Sequence, residues 1–78
     1  MKKLFPDDLI RKAKFYFYTV FNDGDRVRLW RTSWDYETET VFRSAADLEL
    51  YIAQWEHDLL EEFDFMAPAD LRELGILF

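Results

Sequence analysis

The chain contains no cysteine, only two glycines and two prolines, and a single histidine in 78 residues. Without cysteine there is no disulfide frame and no thiolate chemistry. Two glycines cannot supply a glycine-rich phosphate loop. The lone histidine, His57, stands four residues before Glu61 on a helical pattern. That spacing lets both side chains reach one metal ion, yet two ligands leave a zinc site half built. Ser33 and Ser44 are the only serines, and neither has a histidine beside it in the local sequence. Neighbouring acids such as Asp7-Asp8 and Glu61-Glu62 point in different directions on a helix and do not form an acid–base pair. No catalytic activity, cofactor or metal is expected. No stretch approaches the ~20 apolar residues of a membrane span. The opening Met-Lys-Lys-Leu-Phe-Pro-Asp-Asp meets a proline and two acids before any apolar run, unlike a signal peptide. Membrane association is not expected, and a cytoplasmic location is.

What the chain has in quantity is aromatic surface. Half of its residues are apolar and 19% are Phe, Tyr or Trp. Each buried ring removes roughly 150–250 Å² from water, so a single domain over residues 1–78 has ample material for a core. A chain of this size buries only somewhat more than ~60% of its unfolded surface, so surplus apolar area must be concealed somewhere. The net charge is −6 and unevenly placed. Residues 1–34 carry eight Lys/Arg against four Asp/Glu, and residues 35–78 carry two Arg against twelve acids. Long-range repulsion therefore disfavours direct nucleic-acid binding, whereas the acidic half suits a basic partner or serves solubility.

The periodicities predict an α+β fold. A short helix is expected over 7–13, near Pro6 and Asp7. Residues 14–21, Lys-Phe-Tyr-Phe-Tyr-Thr-Val-Phe, are aromatic or β-branched after the lysine and read as a strand. Asp23-Gly24 is a strong two-residue hairpin signal, so residues 26–34 are expected to return beside it. A turn there opposes Phe21 to Arg26, Val20 to Val27 and Phe17 to Trp30. Residues 39–43 read as a third strand. Ser44-Ala-Ala-Asp47 resembles a capping box that opens a helix over 45–63. Leu48, Tyr51, Ile52, Trp55, Leu59 and Phe63 form its apolar stripe. Pro68 and Gly75 bracket one further turn of helix, and Ile76-Leu77-Phe78 is expected to dock. The architecture is thus a three-stranded antiparallel sheet, hairpin 14–34 plus strand 39–43, packed by one long helix 45–63, with short helical segments at both termini.

The hairpin register puts Tyr16, Tyr18, Val20, Val27 and Leu29 on one face. Phe15, Phe17, Thr19, Phe21, Arg26, Arg28, Trp30, Thr32 and Trp34 fall on the other. One long helix covers only one face, so the second must meet the terminal segments, another subunit or a partner. Three surfaces follow. Phe15, Phe17 and Trp30 beside Arg26 and Arg28 have the composition of a single-strand nucleic-acid platform, although rings on strands are more often core. The acids Asp35, Glu37, Glu39, Glu49, Glu56, Glu61, Glu62 and Asp64 could imitate a phosphate backbone, interrupted by Arg43, Gln54 and His57. Trp30, Trp34, Tyr36, Phe65 and Phe78 are types enriched at protein interfaces. The residues singled out for partner contact are Arg26, Arg28, Trp30, Trp34, Asp35, Tyr36, Glu37, Glu49 and Glu56.

The succession of a hairpin around Phe21-Asn-Asp-Gly-Asp25, a third strand, and a helix opening Ser44-Ala-Ala-Asp-Leu-Glu49 and running past Tyr51 and Trp55 resembles small phage-encoded anti-CRISPR proteins. The resemblance spans about residues 14–60 and is one of layout and composition, so no functional residue carries over. It implies a phage inhibitor that occupies a surface of a host CRISPR complex, in the host cytoplasm. The expected function is accordingly a non-enzymatic protein-binding module. A self-associating protein with a sheet-face homodimer interface, and a single-stranded nucleic-acid binder, are the alternatives.

Overall fold

In the computed structural model, which describes residues 4–17, 19–32 and 37–78, six elements follow one another along the chain. They are α1 (Asp7–Tyr16), β1 (Thr19–Asn22), β2 (Val27–Thr32), β3 (Glu37–Phe42), α2 (Ala45–Glu62) and α3 (Pro68–Glu73). The three strands form one antiparallel sheet in the order β1-β2-β3. The α+β architecture, the long helix and the short C-terminal helix are as the sequence predicts. Among the described residues no helix is long and apolar enough to cross a membrane.

Element boundaries differ from expectation: β3 runs Glu37–Phe42 rather than 39–43, so Glu37 and Thr38 pair in the ladder, and the first strand is shortened. Residues 14–16, predicted to begin a strand, are the last turn of α1, and the strand proper is only four residues long. Strand preference is a weak force, spanning ~1 kcal/mol in host proteins, and packing overrides it. Leu9, Ile10 and Ala13 make a helical stripe that is buried along α1, and the stripe pays only if the helix continues far enough to deliver Phe17 to the core. Phe17 then caps the helix, its N–H donating to the Ala13 carbonyl at 2.8 Å. Asp7 and Asp8 in the first turn and Lys14 in the last suit the helix dipole.

The hairpin register also moves. Asn22 pairs with Val27, Phe21 with Arg28, Val20 with Leu29 and Thr19 with Trp30. The turn is centred on Gly24-Asp25 rather than Asp23-Gly24, because Asn22 Oδ1 accepts from Gly24 N–H at 3.1 Å and Asp23 N–H donates to the Arg26 carbonyl at 2.9 Å. Gly24 takes φ +93, which a side chain would resist. The slip displaces each partner by two residues. Side chains alternate with period two, so the paired residues Thr19–Asn22 and Val27–Trp30 keep their faces.

Val27 and Leu29 are fully buried and Phe42 nearly so, on the sheet face that meets α1 and α2. Phe5, Leu9, Ile10, Ala13 and Phe17 reach this core from the N-terminal side, and Leu48 and Ile52 from α2. Phe17 sits against Trp55 and Tyr51 at ring-centroid distances of 5.3 and 5.6 Å, and Tyr51 also meets Phe42 at 5.1 Å. Ser44 caps α2 as expected, its hydroxyl accepting from Asp47 N–H at 3.2 Å. At the C-terminus Gly75, at φ +78, ends α3 in a Schellman motif in which Ile76 N–H donates to the Leu71 carbonyl and Gly75 N–H to that of Arg72. The tail docks: Leu77 is buried, and Phe78 N–H donates to the Tyr16 hydroxyl at 3.0 Å.

The uncovered sheet face as candidate functional site

Among the described residues α1 and α2 pack on one side of the sheet. On the other side three rows of side chains follow from the two strand registers. Nearest the turn stand Phe21, Arg28 and Val41; behind them come Thr19, Trp30 and Glu39; Glu37 closes the β3 side. Phe21 and Val41 are 42% and 43% exposed on either side of Arg28, so this face keeps apolar surface in water. Thr19, Phe21, Arg28, Trp30 and Glu37 line a shallow depression of about 480 Å³.

Arg28 is the fixed point of the face. Its Nε donates to Asp23 Oδ2 at 2.7 Å, its Nη1 lies 3.9 Å from Glu39 Oε1, and its Cζ stands 4.9 Å from the centroid of the Phe21 ring. The hydrogen bond to Asp23 raises the guanidinium pKa above its ordinary value. Carboxylates on two sides and a ring face on a third hold a planar group in one orientation, with less side-chain freedom left to lose on contact. Arg26 lies in the turn, its Nε 3.7 Å from Asp23 and 4.0 Å from Asp25.

The residues singled out from the sequence divide into three groups. Arg28, Trp30 and Glu37 share the uncovered face, with Arg26 at its tip. Trp34, Asp35 and Tyr36 lie outside the described residues. Glu49 and Glu56 belong to α2 in the helical layer, where they line a cleft of about 510 Å³ with Pro6, Leu9, Lys12 and Phe78. Glu56 is engaged inside the molecule, accepting from the Tyr16 hydroxyl at 2.6 Å and pairing with Lys12 Nζ at 3.0 Å. Burial first, and the hydrogen bond to Glu56 second, push the Tyr16 hydroxyl up to about 12.

The five-residue nucleic-acid platform is not assembled. Phe17 is 4% exposed in the core, and Phe15 on α1 packs its ring against Phe78 at 5.4 Å. Both left the sheet with the extension of α1. His57 and Glu61 do approach, at 3.1 Å on the solvent side of α2. Among the described residues no group of three or more His, Cys, Asp or Glu gathers around a common point.

Phe21, Val41, Thr19 and Glu39 belong to the face but were not singled out. The signal was present in their parity, since each alternates in phase with Arg28 and Trp30 across the ladder. The Lys12–Glu56–Tyr16 node has no sequence signal, because Tyr16 and Glu56 are 40 residues apart. No family model, curated protein or solved structure matches the chain.

Proposed function

We propose that the chain is a non-enzymatic protein-binding module and that the uncovered sheet face is its contact surface. The observation that carries this reading is Phe21 and Val41 left in water on both sides of a triply anchored Arg28, with Trp30 behind. Aromatic rings and arginine dominate binding energy at interfaces, and groups already held in place lose little freedom on binding. The resemblance of the sequence to small anti-CRISPR proteins makes a host defence complex the proposed partner and inhibition by occupying its surface the proposed outcome.

The test is retention of a partner from host lysate by three immobilised forms: wild type, Phe21→Ser and Leu50→Ser. Leu50 is 70% exposed on α2 and serves as the control. A stoichiometric protein retained by wild type and Leu50→Ser, and lost by Phe21→Ser, is the expected result. Equal retention by all three, or no stoichiometric protein from any host, contradicts it.

The same exposed pair favours one competing reading, in which a second copy of the chain covers the face. Light scattering after gel filtration separates the two. A monomer at micromolar concentration eliminates the homodimer, and a dimer dissociated by Phe21→Ser replaces the first reading.

A further inference from the structure

The backbone of β3 has an orientation that the side chains alone do not reveal. Asp23 N–H donates to the Arg26 carbonyl, so Asp23 and Arg26 are a hydrogen-bonded pair. Antiparallel ladders alternate hydrogen-bonded and non-bonded pairs. Phe21–Arg28 and Thr19–Trp30 are therefore the bonded pairs between β1 and β2. The intervening Val27 and Leu29 turn their N–H and C=O groups the other way, toward Phe42 and Thr40 of β3. By the same alternation Glu37, Glu39 and Val41 direct their own N–H and C=O groups outward, along the free edge. Among the described residues no strand pairs with that edge. These three residues also carry their side chains on the uncovered face and are exposed.

We infer that this edge of β3 receives an extended segment of the partner as a fourth strand, and that the segment carries basic residues at alternate positions. The inference rests on the outer-face reading above and names how its partner engages. A strand added here exchanges backbone hydrogen bonds with Glu37, Glu39 and Val41 and sets its own alternate side chains directly opposite theirs. Opposite charges favour such cross-strand pairs, and like charges oppose them. The complement of Glu37, Glu39 and Val41 is cation, cation, apolar. An antiparallel partner reads apolar-x-basic-x-basic from its N-terminus.

A second copy is a poorer occupant. In the register that opposes Glu37 to Val41, Glu39 meets Glu39 of the copy. In the next, Glu39 meets Val41. Within β3 neither register gives a glutamate a cation; Arg43, which would oppose Glu37 in the second, lies past the end of the strand. The edge glutamates thus discourage self-pairing while they select a basic strand. The edge of β1 is shorter, at four residues against six.

The experiment is amide hydrogen exchange by NMR on the intact chain, alone and with a blocked peptide Thr-Val-Thr-Arg-Thr-Arg-Thr at up to millimolar concentration. A matched peptide with Glu for each Arg is the control. In the free chain the amides of Glu37, Glu39 and Val41 exchange faster than those of Thr38, Thr40 and Phe42. The arginine peptide slows the first three at least ~5-fold and the glutamate peptide does not. The double variant Glu37→Lys/Glu39→Lys inverts the preference, weakening the arginine peptide by ~10-fold, as loss of two cross-strand charge pairs requires. No protection by the arginine peptide, or equal protection by both peptides, overturns the inference. Protection that grows with protein concentration alone identifies a second copy as the occupant and also overturns it. The measurement uses no cellular partner, so its failure leaves the outer-face reading to the Phe21→Ser test.

Discussion

Replacing Tyr16 with phenylalanine removes one oxygen and should loosen three segments at once. The hydroxyl donates to Glu56 on α2 at 2.6 Å and accepts from the backbone N–H of Phe78 at 3.0 Å. A hydrogen bond to a charged group contributes ~1.5–3 kcal/mol when enclosed. Glu56 keeps 20% of its side-chain surface in water and retains Lys12, so a value around or below the lower end of that range applies, about 1–2 kcal/mol. For a domain of this size each kcal/mol lowers Tm by ~4–8 °C, and a fall of roughly 5–15 °C follows at neutral pH. Circular dichroism during heating reads it directly.

The same hydroxyl supplies a pH signature. Its pKa rises from the ordinary 10.0 to about 12 in the fold, so the folded state prefers the neutral phenol. That preference stabilises the fold fully below pH 10 and is lost as pH rises through 12. The shift corresponds to at most ~2.7 kcal/mol, reduced by solvent screening at this part-exposed site to about 1–2 kcal/mol. Ultraviolet titration of the folded protein should show a tyrosine step near pH 12, and Tyr16→Phe should remove it. An unchanged Tm together with an unchanged titration would refute the role assigned to this node.

Phe17→Ala and Phe21→Ser should part sharply although the two rings are four residues apart. The first empties a site between Tyr51 and Trp55 and should cost ~3–5 kcal/mol, enough to unfold much of a small domain. The second should stay within ~1 kcal/mol, because its ring is half in water and loses chiefly the contact with Arg28. Urea denaturation of both variants decides this. Ser44→Ala should cost ~1 kcal/mol by leaving the Asp47 N–H uncapped, read as a shift in the same denaturation midpoint. A wild-type midpoint would contradict the cap.

The elements most legible in the sequence were those whose signals agreed. Ser44 as cap, the Leu48–Ile52–Trp55 stripe and the Pro68 to Gly75 bracket each combine a local preference with a burial pattern, and all three appear in the structure. Residues 14–16 failed where two signals conflicted. Their aromatic composition favours a strand, but the buried stripe of Leu9, Ile10 and Ala13 extends the helix through them. Turn chemistry erred by one residue because Asn22 formed a side-chain turn of its own, yet the faces survived, since a two-residue slip preserves parity. The uncovered face was therefore readable in outline from alternation, while its anchoring was not. Asp23, Glu39 and Phe21 meet at Arg28 only after the three strands have assembled.

The most direct test of an open sheet face is hydroxyl-radical footprinting of the free monomer, with oxidation located by mass spectrometry. Phe21 and Trp30 should react readily while Phe5, Phe17 and Phe42 stay protected. If Phe21 and Trp30 are as inert as the core rings in a monomeric sample, the face is already covered and the proposed contact surface does not exist.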